Sequence, residues 1–268
     1  MAKQRDPVID SMRGIGIVLM VLGHSGFPGT DFIYLFHMAL FFMLSGWLFS
    51  LRGGPVHFIK RKAVTLWLPF VLANTAFTVL NNLFLKLNIL TSDERILQVP
   101  GNAVTTPVTV KDVIGRTVHW CVFDGGTQLG GAMWFIQALF QVSILYALVE
   151  FILQRLLHGA DTLLPQGLFS GVLLWVGWRC RLAGWNVWGL GIAASCYCLF
   201  YLGTVLRRTT RESIQTYQRG IFAAAAFAVL LILGQLGSVG LAGNGYSGPI
   251  FLLLASWRAG CWCGRPRA

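Results

Sequence analysis

Long runs of apolar residues dominate this sequence and constrain its fold more than any other feature. Apolar residues occupy 55% of the 268 positions and charged residues only 12%, and the mean hydropathy is +0.65. A soluble domain carries about a quarter charged residues. Because so few charges cannot cover a surface that faces water, we expect lipid to be much of the solvent of this chain.

Eight apolar runs can be delimited, and most are close to the length of a membrane-spanning helix. A span needs ~20 apolar residues, whereas each strand of a membrane β-barrel would show ~10 residues of alternating polarity. The runs therefore predict an all-α, polytopic transmembrane helix bundle of about eight spans, forming one integral-membrane domain over residues 1–268. The runs are 12–27, 32–51, 63–86, 131–154, 166–179, 185–206, 219–242 and 248–257.

Basic residues are unevenly distributed between alternate connecting segments. With the N-terminus inside, fourteen Lys and Arg lie in inside segments and six in outside segments. Cytoplasmic segments carry an excess of basic residues, so this pattern predicts a cytoplasmic N-terminus. The same excess explains the net charge of +11. We therefore expect membrane lipid, and not nucleic acid, as the partner of these charges. The long segment 87–130 then becomes an outer loop.

The first apolar run carries ionisable residues, which are costly inside a membrane and so mark a candidate functional site. Arg13 and His24 are eleven residues apart, which places them on one helix face with ~16 Å between them along the axis. Asp10 precedes Arg13 by three residues and is close enough to pair with it. A snorkelling Arg13 and a hydrogen-bonded His24 would be purely structural. The shared face instead favours an anion-binding cation on the same helix as a general base.

A further histidine, His37, lies in the second run. If the first two runs form a hairpin across residues 25–31, His24 and His37 lie near the same end of it. Two histidines could handle protons or bind a metal ion, and since no third ligand is clearly placed, no metal site is predicted. The basic cluster Lys60-Arg61-Lys62 is explained by contact with anionic lipid, or by the binding of a phosphate-rich cofactor.

Several motifs, in chain order, resemble acyltransferase family 3 of membrane proteins, and the fucose 4-O-acetylase-like branch is nearest. The most specific motif is Arg13 followed by ten residues and His24, and the other similar segments are 36–46, 58–69, 131–136 and 200–207. The resemblance implies an O-acetyltransferase of the bacterial inner membrane. Such an enzyme takes an acetyl group from cytoplasmic acetyl-CoA to a sugar hydroxyl of an envelope or exported polysaccharide, or of a lipid-linked sugar.

Motif positions carry the implied roles. The resemblance implies that His24 is the catalytic histidine and that Arg13 is its essential partner towards the acyl donor. His37 and Asp10 join them as candidate catalytic residues. Arg13, Arg61 and Trp134 are candidate residues for binding acyl-CoA, and no metal is implied.

The chain departs from the family in length, because the resemblance implies a bundle of about ten helices. The eighth run breaks early at 257–268, an atypical tail that we interpret as a truncated or frame-shifted end, with a natural short tail as the alternative. Two other functions stay open. One is a membrane transporter or exporter of glycan or small solute, and the other is an inactive, truncated acyltransferase.

The candidate residues have the chemistry that acyl transfer needs, independently of the resemblance to a family. Transfer to a hydroxyl needs a base for the acceptor and positive charge for the phosphates of the donor. His24 can supply the first and Arg13 the second. The sequence has no Gly-x-Ser-x-Gly elbow, so direct transfer is the simpler hypothesis, and an acyl-histidine intermediate stays open.

Overall fold

Helices form almost all of the computed structural model, which describes residues 7–25, 28, 30–91, 103, 104 and 106–213. These residues are 78% helical, and the prediction of an all-α fold is confirmed. The helices are α1 (Pro7–Gly23), α2 (Thr30–Trp47), α3 (Gly54–Lys62), α4 (Leu68–Lys86), α5 (Val110–Cys121), α6 (Met133–Leu156), α7 (Leu163–Leu182) and α8 (Leu190–Ser213). Two short strands, β1 (Ala103–Val104) and β2 (Gly126–Thr127), pair in parallel.

Three helical segments in the described part of the chain are long and apolar enough to cross a membrane. They are Gly54–Lys86, Met133–Leu156 and Val187–Arg208, and the apolar part of α2, Phe36–Trp47, is shorter. The predicted runs 219–242 and 248–257 and the tail 257–268 lie outside the described residues. The number of about eight spans therefore stays a prediction.

The segment Gly54–Lys86 is one long helix that passes through a π-helical turn at Ala63–Trp67. Pro69 follows this turn, and it has no N–H to donate while its ring would collide with the carbonyl group four residues earlier. The Leu68 N–H reaches back to the Ala63 carbonyl instead. The extra residue in the turn thus keeps the helix continuous past the proline.

Two glycines allow α2 and α8 to pack closely. A Cβ atom at Gly46 would collide with the carbonyl oxygen of Phe200, and one at Gly203 would collide with that of Met43. Helices in lipid associate through such close contacts between small residues. The contact lies beside the main apolar core, whose fully buried members include Phe42, Val142, Cys196, Tyr197 and Phe200.

Aromatic contacts fix the direction of α6 relative to α2. Near the start of α6, the Phe135 ring lies 5.7 Å from Phe41 and 5.1 Å from Phe42, measured between ring centroids. Further along α6, the Tyr146 ring lies 4.9 Å from Phe49, two residues beyond the end of α2. The two helices therefore run in the same direction. We call the end where α1 stops and α2 begins the histidine end, and the end where α3 begins the basic end.

The segment 87–130, predicted as a long outer loop, contains α5 in its described part. This helix packs along α4. Just before α5 begins, the Val108 carbonyl accepts from the Asn82 side chain on α4, and the Val108 N–H donates to it. The Thr109 N–H and hydroxyl donate to Asp112 at the start of α5, and these bonds lower the pKa of that carboxyl. The described part that contains α5 is thus folded onto the helix that precedes the segment, and the position of the segment outside the membrane stays a prediction.

Candidate active site

The histidine end brings together three ring side chains from α1 and α2. His24 follows directly after α1, and its Nδ1 atom lies 3.3 Å from the Tyr34 hydroxyl. The Tyr34 ring is 5.9 Å from the His24 ring and 5.1 Å from the His37 ring, with an edge-on arrangement in both pairs. The structure therefore places His24 and His37 at the same end of the α1–α2 hairpin, with Tyr34 between them.

His37 is buried, at 1% exposure, and its hydrogen bond defines where its proton lies. The Nδ1 atom lies 2.8 Å from the Ile33 carbonyl oxygen. Since a carbonyl oxygen only accepts, Nδ1 must carry the proton, and the Nε2 of the neutral ring has a lone pair. That Nε2 has no hydrogen-bond partner among the described residues. The Nε2 atom is itself buried, so a group can reach this lone pair only if the surrounding side chains move.

A hydrogen bond with the Tyr34 hydroxyl orients the imidazole of His24. This hydroxyl lies 3.2 Å from the Gly23 carbonyl oxygen as well as 3.3 Å from His24 Nδ1. The hydroxyl has one proton, and the Gly23 carbonyl can only accept it. When Tyr34 donates to that carbonyl, its oxygen accepts from the Nδ1–H of His24. The lone pair of His24 then lies on Nε2, as a general base requires.

A basic pair at the end of α3 lies within electrostatic range of the arginine on α1. Arg13 lies 3.6 Å from Asp10, as its spacing predicts, and both side chains are about half exposed. The positive charges of Arg13 and Arg61 both act on the Lys62 ammonium. Arg61 and Lys62 also lie over the buried ring of Phe58, at 5.6 and 5.5 Å from its centroid. We call Arg13, Arg61 and Lys62 the cation cluster.

Arg13 and His24 are eleven residues apart, and the residues between them lie in α1. This helix is continuous from Pro7 to Gly23, so Arg13 and His24 are ~16 Å apart along its axis. Arg13 pairs with Asp10, and His24 contacts Tyr34. One helix therefore presents a cation near one end and an imidazole at the other.

A cavity of about 420 Å³ lies between α4, the start of α6, the segment 123–131 and the turn before α8. Trp134, a predicted donor-binding residue, lines it together with Asn74. Arg61 is also predicted to bind acyl-CoA. It is thirteen residues before Asn74 on the same long helix, which corresponds to ~20 Å along the helix axis. The structure therefore does not bring Trp134 and Arg61 together.

Sequence reasoning missed Tyr34 and the polar side chains of this cavity. Asn74 and Gln137 are buried, at 1% and 9% exposure, and each interrupts an apolar run. A buried amide must find hydrogen-bond partners, so its presence in such a run was a usable signal. Tyr34 gave no comparable signal, because an aromatic residue in an apolar run is ordinary.

Comparison with known proteins gives the family. The family described as acyltransferase domain, acyltransferase family 3, matches residues 6–264, which is nearly the whole chain. No curated protein and no solved structure matches the chain. The match includes the segments that hold Arg13, His24 and the cavity, and the apolar helices agree with a membrane location. The chain belongs to acyltransferase family 3 and is a membrane acyltransferase.

Proposed function

We propose that this protein transfers an acyl group, in the simplest case acetyl, from acyl-CoA to a sugar hydroxyl. The acceptor is an envelope or exported polysaccharide, or a lipid-linked sugar. The observation that carries the proposal is the arrangement along α1, where Arg13 of the cation cluster and the imidazole of His24 lie ~16 Å apart along one helix axis. The basic end faces the cytoplasm of a bacterial inner membrane in this proposal, as the excess of inside Lys and Arg predicts.

The cation cluster fits the acyl donor. Coenzyme A carries its phosphates at one end and its thioester at the other, joined by a long flexible arm. Arginine and lysine bind phosphates through charge-assisted hydrogen bonds, and Arg13 is half exposed and open to such a ligand. With phosphates bound at Arg13, Arg61 and Lys62, the arm would extend along α1 and bring the thioester towards His24.

The transfer step needs a base beside the thioester. In the proposed step, Nε2 of His24 removes the proton of the acceptor hydroxyl while the oxygen of that hydroxyl attacks the thioester carbonyl carbon. A carbon–oxygen bond forms, the carbon–sulfur bond breaks, and the proton passes from His24 to the sulfur of CoA. The sugar ester and free CoA are the products. Neither a metal ion nor a covalent enzyme intermediate is required.

Removal of the Tyr34 hydroxyl is expected to slow this step without stopping it. Tyr34→Phe keeps the ring between His24 and His37 but removes the acceptor for Nδ1–H, so the productive tautomer of His24 is no longer favoured. We expect kcat to fall about tenfold, less than the ~10²–10⁴-fold contribution of a general base, with the KM for acyl-CoA unchanged. Steady-state kinetics measures both. Tyr201→Phe is the control, because its hydroxyl bonds the Leu163 carbonyl away from the histidines, and an equal loss in both variants would count against the proposed role.

The proposal is tested by following the acyl group itself. The full-length protein in liposomes is supplied with acetyl-CoA labelled in the acetyl carbon and with envelope polysaccharide. We expect label in an alkali-labile ester of the polysaccharide and one thiol of CoA released for each ester formed. Uptake of sugar or small solute without any labelled ester would instead identify a transporter, and neither activity would indicate an inactive chain.

The proposed binding of acyl-CoA phosphates by Arg13 is tested with a separate variant. Arg13→Ala removes a charge-assisted phosphate contact worth about 1.5–3 kcal/mol, so we expect the KM for acetyl-CoA to rise about 10- to 100-fold. Arg155→Ala is the matched control, because this exposed arginine near the end of α6 lies over the Phe151 ring and outside the cation cluster. An unchanged KM in Arg13→Ala would remove Arg13 from the donor site.

A further inference from the structure

The cavity at the start of α6 combines aromatic rings with hydrogen-bonding groups, of which Asp124 is the one acidic side chain among the described lining residues. Its aromatic and amide residues include Phe123, Trp134, Trp188, Asn74, Gln137 and Asn186. None of the described residues that line it is Lys or Arg, so the phosphates of a donor such as acyl-CoA would find no counter-charge there. The volume of about 420 Å³ falls within the ~300–1,000 Å³ of sites for small molecules.

Two of the aromatic residues in this wall have an unfavourable backbone conformation. Phe123 has φ 61° and Trp188 has φ 52°, in the left-handed region that bulky residues rarely adopt. Each such residue costs ~1–3 kcal/mol and persists only where its surroundings hold it. Strain of this kind is concentrated at active sites and ligand-binding sites. Its occurrence at two residues of one cavity points to a binding role.

The buried amide of Gln137 contacts both strained residues, and the Gln141 amide also donates to Trp188. Nε2 of Gln137 lies 3.4 Å from the Phe123 carbonyl oxygen and 2.5 Å from that of Trp188. The amide has two N–H groups, one for each carbonyl. Gly189 follows Trp188, and a Cβ atom there would lie 2.6 Å from Gln137 Nε2. Gln137 therefore positions the segment after α5 and the turn before α8 relative to α6.

The wall chemistry identifies a class of ligand. A sugar ring packs its C–H faces against aromatic rings and exchanges hydrogen bonds between its hydroxyls and side-chain amides or carboxylates. Asp124, whose carboxylate accepts from His119 Nδ1 at 2.8 Å, adds a carboxylate to the wall. We propose that this cavity binds a sugar ring. That this sugar is the acceptor of the acyl group rests on the proposed function, whereas sugar binding itself does not.

Aromatic contacts relate the cavity to α2. Trp134 in the wall contacts Phe135 at 6.2 Å between ring centroids, and Phe135 contacts Phe41 of α2 at 5.7 Å. His37 is four residues before Phe41, about one helical turn towards the histidine end. A sugar in the cavity would thus be separated by the Trp134 and Phe135 rings from α2, the helix that carries His37 and Tyr34, and no described residue of α1 or α2 lines the cavity. The cation cluster lies towards the opposite end of that hairpin.

Sugar binding is measured without any acyl donor. The full-length protein in detergent micelles is titrated with the methyl glycosides of glucose, galactose, fucose and N-acetylglucosamine, and saturation-transfer NMR reports binding. We expect at least one glycoside to bind, and Trp188→Ala to weaken that binding about tenfold through loss of its aromatic surface. Trp175→Ala on α7 is the matched control, since Trp175 and Trp188 are 54% and 52% exposed and Trp175 is not in the cavity wall. Absence of binding by all four glycosides, or equal effects of the two variants, overturns the proposal.

The positioning role of Gln137 is tested with Gln137→Leu, which removes the amide and keeps much of its volume. We expect the glycoside that binds the wild-type protein to bind about tenfold more weakly. The KM for the acceptor should rise by a similar factor, with the KM for acetyl-CoA unchanged. If the wild-type protein binds a glycoside but transfers no label, the proposed function fails and the sugar site stands. If label is transferred while acceptor binding is unchanged in Gln137→Leu and Trp188→Ala, the cavity assignment alone fails.

Discussion

Replacement of His24 by alanine is expected to reduce kcat by about 10²–10⁴-fold, the contribution of a general base, while the protein stays folded. His24 is exposed and follows the last residue of α1, so its removal leaves no cavity in the core. The loss should appear in the rate of label transfer from acetyl-CoA to polysaccharide. The KM for acetyl-CoA should change little, because the phosphates are proposed to bind ~16 Å away.

The controls for this prediction separate chemistry from folding. His57→Ala removes another exposed histidine, on α3, and should leave kcat and the melting temperature at their wild-type values. His37→Ala should lower both activity and stability, since the side chain is buried and bonds the Ile33 carbonyl. Full activity in His24→Ala would exclude His24 as the base, and inactivity confined to His37→Ala would transfer that role to His37.

The largest expected effect on stability comes from the contact between α2 and α8. Gly46→Ala and Gly203→Ala each place a methyl group against a backbone carbonyl oxygen of the facing helix, Phe200 and Met43 respectively. A backbone carbonyl cannot rotate away as a side chain can, so the helices must separate. We expect each substitution to cost at the upper end of the ~1–3 kcal/mol of overpacked cores. Thermal unfolding of the protein in detergent micelles measures the loss.

A helical glycine with open space provides the matched control. A Cβ atom at Gly171 of α7 meets nothing within 4 Å, and alanine is more favourable than glycine in a helix by up to ~1 kcal/mol. Gly171→Ala should therefore unfold at the same temperature as the wild type or slightly higher. If the Gly46 and Gly203 variants behave like the Gly171 variant, the close packing of α2 and α8 is refuted.

Hydropathy predicted where helices occur better than where they begin. The run 131–154 corresponds to α6, Met133–Leu156, and the run 166–179 to α7, Leu163–Leu182. The run 63–86, in contrast, belongs to a helix that already begins at Gly54. Its basic start was excluded from the run because charge lowers hydropathy. Charge does not interrupt backbone hydrogen bonds, and Arg61 and Lys62 lie over the Phe58 ring within the same helix.

The candidate site was predictable only in its local part. Asp10, Arg13 and His24 lie on a single helix, where residue spacing alone gives their separation. The pair Asp10–Arg13 is found at 3.6 Å, and the catalytic roles of Arg13, His24, His37 and Asp10 stay predictions. The assignment of Trp134 and Arg61 to one donor site also stays a prediction, and the structure places them at different levels of the bundle. Their relative position depends on how long helices pack, which spacing does not report.

The sequence by itself determined the spacing of Asp10, Arg13 and His24 along α1, the helical class of the fold and the family, because hydropathy, helical spacing and motif order are properties of neighbouring residues. Only the tertiary structure placed Tyr34 between two histidines, joined Phe123 and Trp188 through Gln137, and brought Gly46 against residue 200. These contacts depend on which helix faces meet. Small residues and buried amides decide that by allowing close approach, and their partners can lie more than a hundred residues away along the chain.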